Sequence, residues 1–98
     1  MNIAILGFVM PYITKEHKVI ADIGCGDLYF SSILCERFNG RVFAVDTGFT
    51  DLSSDSDKII KMGSIDHLED NSVDIAILMD VLEHVEEPKE FLATLLAK

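Results

Sequence analysis

Basic residues are scarce in this chain: eight lysines and arginines stand against seventeen acids, a formal charge of -9 over 98 residues. Nucleic acids and anionic membranes are held by clustered Lys and Arg, so this balance argues against both as partners. The acidic surplus serves solubility first. Cysteine is almost absent as well, with Cys25 in a glycine-bearing turn and Cys35 on the helix expected after it. A bridge between them would distort both elements, and free thiols fit a reducing cytoplasm, where the chain is expected. His17, His67 and His84 are too dispersed to form a short ligand cluster with them, so no metal site is expected. Long apolar runs are missing too. The stretch Met1 to Ile13 is apolar but contains Pro11, is too short to span a bilayer, and lacks the basic start and cleavage site of a signal peptide.

What remains is material for one small domain, residues 1–98, without internal repeats. Residues 1–15 carry Ile5, Phe8, Val9 and Tyr12 at helical spacing and predict a short covering helix. Residues 18–23 read as a strand buried on both faces, and 28–38 as a helix with Phe30, Ile33, Leu34 and Phe38 inward, ended by Asn39-Gly40. A second strand covers 41–46. Thr47 to Asp57, rich in serine and aspartate, predicts a loop. Lys58 to Ile65 predicts a weaker strand, and the turn Asp70-Asn71-Ser72 launches the strongest one, Val73 to Met79. Pro88 then opens a last helix, with Phe91, Leu92, Leu95 and Leu96 as its inner stripe. Strands alternating with helices imply an open parallel α/β sheet whose site lies at the carboxyl ends of the strands.

The chemistry concentrates at the end of the first of these strands, Val19-Ile20-Ala21-Asp22-Ile23-Gly24-Cys25-Gly26-Asp27. An apolar run closing on an acid and two glycines is a strand-to-helix turn that lets backbone approach a ligand. The second strand, Arg41 to Val45, ends on Asp46, about twenty residues further on, where an acid reaches ribose hydroxyls in nucleotide-binding α/β units. Tyr29 stands where a dinucleotide fingerprint needs its third glycine, and no glycine-lysine-serine or glycine-lysine-threonine run exists for a P-loop. Two strand-tip acids flanking a glycine turn point instead to an adenosine-type ligand.

Asp22-Ile23-Gly24-Cys25-Gly26 resembles the D/E-x-G-x-G signature of class I S-adenosylmethionine-dependent methyltransferases. Asp46 resembles the ribose-binding acid of that family. Asp70 to Asp74 with Val81 to Pro88 resembles the segment around the fourth strand in its small-molecule-type branch. The resemblance implies a Rossmann-like open parallel sheet of strand order 3-2-1-4 with flanking helices, and S-adenosyl-L-methionine as cofactor. It places Gly24, Cys25 and Gly26 against the methionine moiety, Asp22 near its ammonium group, and Asp46 on both ribose hydroxyls. Thr47 stands where the family packs adenine, and Phe49 is a physically better candidate. Ser64 and Ile65 would lie beside the adenine edge. The family commonly has an acid at the position of Ser64, and Asp66 could substitute. Asp80 and Val81 would flank the sulfonium arm. His84 is the nearby side chain whose unperturbed pKa suits a general base.

The family fold has seven strands, whereas this sequence stops after the fourth strand and its helix, so an incomplete domain is expected. The fourth strand would then form a sheet edge open to pairing, which suggests homo-oligomerisation through it. Two functions follow: a methyltransferase cofactor domain serving a small-molecule or protein acceptor, or a non-catalytic remnant acting as a binding module.

Overall fold

A computed structural model describes residues 2–4, 19–26, 28–38, 40–53, 57–78 and 81–98. Its strands are β1 (Asn2–Ala4), β2 (Val19–Ile23), β3 (Arg41–Val45), β4 (Ile59–Met62) and β5 (Ile75–Leu78), and its helices are α1 (Tyr29–Phe38) and α2 (Pro88–Leu96). All pairings are parallel, in the order β1-β5-β2-β3-β4. The run β4-β3-β2-β5 is the order 3-2-1-4 that the resemblance implied, and the fold is Rossmann-like. The loop after β3 contains no helix among its described residues. Among the described residues, no helix is long and apolar enough to cross a membrane.

Two expectations fail at the N-terminus. Asn2–Ala4 is a strand, not the start of a helix, and residues 5–15 of the predicted helix lie outside the described residues. The outer flank of β5 is therefore not an open edge. Asn2, Ile3 and Ala4 pair with Ile75, Ala76 and Ile77, which removes the basis for association through that flank. The reason is elementary: the outward N–H and C=O groups of an apolar strand need partners, and the chain supplies them itself.

Side chains alternate across the sheet and build one core on each face. Ile20, Val42, Ile75 and Ile77 pack with Leu34 of α1, supported by Phe30, Cys35 and Ile59. On the opposite face Ala21, Ile23, Val45, Ala76 and Leu78 join Ile65, Leu68, Val73 and Leu95 of α2. The inner stripes differ from the predicted ones. Ser31 is fully buried on α1, Leu96 of α2 is exposed, and the side chain of Phe38 lies outside the described residues. Strand β4 also stops at Met62, because Ser64 caps a 3-10 turn, Ile65–His67, by accepting from the Asp66 N–H.

Candidate active site

Strand β2 is followed by Gly24, whose φ of +71° and neighbour Gly26 at +61° turn the chain sharply back. The Gly24 and Cys25 N–H groups both donate to the Val45 carbonyl, at 2.7 and 3.3 Å, so the turn closes over the tip of β3. A Cβ at Gly24 would stand 2.7 Å from Cγ2 of Val81, so glycine there allows the loop after β5 to come close. Leu28, at φ +72°, is a further left-handed residue and carries a side chain. Its carbonyl accepts from both the N–H and the hydroxyl of Ser32, each at 2.9 Å, as α1 begins.

Asp46 follows β3 directly. Its N–H donates to the Met62 carbonyl at 3.0 Å, which fixes its backbone against β4. Its carboxylate accepts from Gly26 N–H at Oδ2 and from Gly48 N–H at Oδ1, each at 2.8 Å. The carboxylate thus faces the glycine turn.

Beside this pair opens a cavity of about 680 Å³, inside the roughly 300–1,000 Å³ span of small-molecule sites. Gly24, Asp46, Thr47, Ser64 and Ile65 line it, as does His84, whose Nε2 is 3.7 Å from Oε1 of Glu83. Asp66 lines it as well, accepting at Oδ2 from the Ser64 hydroxyl at 3.2 Å. Cys25 lies half-buried in the turn, outside the lining. Phe49 does not line the cavity; its ring lies under Lys61, 5.7 Å from Nζ to centroid. Asp80 lies outside the described residues.

Asp22 is elsewhere. It is buried below the turn on the α1 side and accepts at Oδ2 from the Ser31 hydroxyl at 2.7 Å. Burial pushes its carboxyl above the ordinary 3.8, the Ser31 hydrogen bond opposes this, and the charge of Asp46 adds to it. The wall from α2 (Glu87 just before it, then Glu90, Phe91 and Thr94) was not read from the sequence. The spacing of those residues marks one helix face, but nothing local says which side of the sheet that helix covers.

The arrangement presents an acceptor pair for hydroxyls on Asp46, apolar walls at Ile23, Val45, Ile65 and Phe91, and carboxylates without a lysine or arginine among the described residues of the lining. No curated protein matches the chain. A family model described as a methyltransferase domain matches residues 21–96, most of the sequence, from within β2 to the end of α2. The chain belongs to the class I S-adenosylmethionine-dependent methyltransferase superfamily.

Proposed function

We propose that the cavity binds S-adenosylmethionine and that the chain is the cofactor domain of a methyltransferase acting on a small-molecule or protein acceptor. One observation carries this reading: the Asp46 carboxylate, tied at 2.8 Å to the Gly26 N–H, lines the same cavity as Gly24. The residues present fit the group. Gly24 and Gly26 hold the left-handed backbone that keeps the turn low, and Asp46 offers two acceptor oxygens to the two ribose hydroxyls.

Thr47 and Ile65 line the walls where the adenine ring would pack. Asp66, held by the Ser64 hydroxyl, takes the part of an acid at position 64 and accepts from the adenine amino group. Asp22 acts on the cationic end through its field, since its carboxylate is engaged below the turn. When bound, the cofactor supplies an electrophilic methyl group on a sulfonium centre. The protein's task is then largely placement of the acceptor, which Val81, Val85 and Phe91 bound on the α2 side. His84, on the cavity wall, takes the acceptor's proton where the nucleophile is weak.

The second reading, a binding module without turnover, draws on Ser64, whose hydroxyl is already committed to the cap and to Asp66. Calorimetric titration with S-adenosylhomocysteine tests the binding that both readings share. A heat signal from wild type and none from Asp46→Ala supports the site. Label transfer to candidate acceptors then separates catalysis from binding alone.

A further inference from the structure

We propose that Gly48 is a positioning residue that aims the Asp46 carboxylate at a vicinal diol, so that the site selects ribose over deoxyribose ligands. The inference rests on the adenosine reading above and deepens it. An ionised carboxylate offers about four lone-pair positions. Here one position on each oxygen is taken, Oδ2 by Gly26 N–H from the glycine turn and Oδ1 by Gly48 N–H from the loop beyond β3.

Two donors on opposite loops stop the carboxylate from rotating and leave one acceptor position on each oxygen. Two adjacent hydroxyls match that remainder, and a sugar lacking them does not.

Gly48 is the sensitive half of the clamp. Unlike Gly24 and Gly26, it does not have a positive φ, so an alanine there meets no backbone strain. Its Cβ would instead stand 3.1 Å from Oδ1 of Asp46, closer than a carboxylate oxygen accepts comfortably. The oxygen must move by a few tenths of an ångström. Gly48→Ala therefore perturbs the direction of the Asp46 oxygens and leaves the packing of the domain alone.

The experiment compares wild type with Gly48→Ala by calorimetry, using S-adenosylhomocysteine and its 2′,3′-dideoxy analogue, with thermal melts of both proteins. Misaligning charge-assisted hydrogen bonds should weaken S-adenosylhomocysteine by about tenfold, with binding of the dideoxy analogue unchanged and the melting midpoint lowered by no more than a few degrees. Equal weakening of both ligands, or of neither, overturns the positioning role while leaving the adenosine site intact. Wild-type protein that does not bind S-adenosylhomocysteine overturns the adenosine reading and the ribose selection with it. Amide exchange without ligand tests the clamp itself. Asp46→Ala should speed exchange at Gly26 and Gly48 together, and unchanged exchange at both refutes the clamp.

Discussion

Replacing Gly24 by alanine should be among the most damaging small changes available to this protein, and its cost separates into two measurable parts. The first is conformational: a Cβ at φ +71° is left-handed backbone, costing roughly 1–2 kcal/mol. The second is steric. That Cβ would lie 2.7 Å from Cγ2 of Val81, an overlap of the kind that costs roughly 1–3 kcal/mol when a packed site must shift. Gly26 is the internal control. Its φ of +61° carries the same conformational cost, but a Cβ there meets nothing within 4 Å.

Gly24→Ala should therefore lose roughly 2–5 kcal/mol and Gly26→Ala only about 1–2. For a domain of this size, stability is of order 5–15 kcal/mol, so the first loss approaches unfolding and the second does not. Urea denaturation followed by far-ultraviolet circular dichroism suits a chain without tryptophan. Val81→Ala removes the clashing methyl, so Gly24→Ala should cost less in that background, with a coupling of about 1–3 kcal/mol in the double-mutant cycle. Equal losses at Gly24 and Gly26, or a cycle that closes at zero, would refute the claim that Gly24 is required by the approach of Val81.

Further expectations concern the acids. Asp46→Asn places an amide NH2 against one of two backbone donors, so ligand-free stability should fall by about 1 kcal/mol; an unchanged urea midpoint argues against the double contact. Ser31→Ala removes the buried donor to Asp22 and should cost about 1.5–3 kcal/mol at neutral pH in the same assay. Asp22 also predicts a pH dependence: with its native pKa raised above 3.8, the native state holds a proton that the unfolded chain has released. Its contribution to stability thus falls as pH rises from about 3.8 through the raised native value and stays low above it. The stability of Asp22→Asn relative to wild type should grow over that window, and a flat difference in melts would refute it.

The sheet was legible because each buried strand is a run of apolar, largely β-branched residues broken by glycine, acid or a turn such as Asp70-Asn71-Ser72. The helices were legible because Pro88 marks a start and the stripes recur at helical spacing. Strand β1 was not. Three residues carry no periodicity, and what makes Asn2–Ala4 extended is its parallel partner Ile75–Ile77, more than seventy positions away. Ser31 was missed for a related reason. A serine among apolar neighbours reads as solvent-facing, until the face of β2 that carries Asp22 is known to meet α1. In the site, the glycine turn and Asp46 were readable from motif spacing, whereas the α2 wall depended on packing across the whole sheet.

Asp22 and Asp46 look equivalent along the chain, each an acid at the end of an apolar run, yet their surroundings differ because of strand register. Asp22 lies inside β2, opposite Ala44, so alternation commits it to the face of Ile20 and Leu34. There water is excluded, and the carboxyl is held by Ser31 with its pKa raised. Asp46 stands one residue beyond β3, its N–H making the last bond to β4 at Met62, and past that point no further residue pair holds its side chain to one face. It is free to reach across to Gly26 and into the cavity on the opposite side. One residue of strand length separates a carboxylate that braces the turn from one that can receive a ligand. Extending β3 by a single pair would put Asp46 on the α1 face with Val42 and Ala44, and take from the cavity the carboxylate we propose for the ribose hydroxyls.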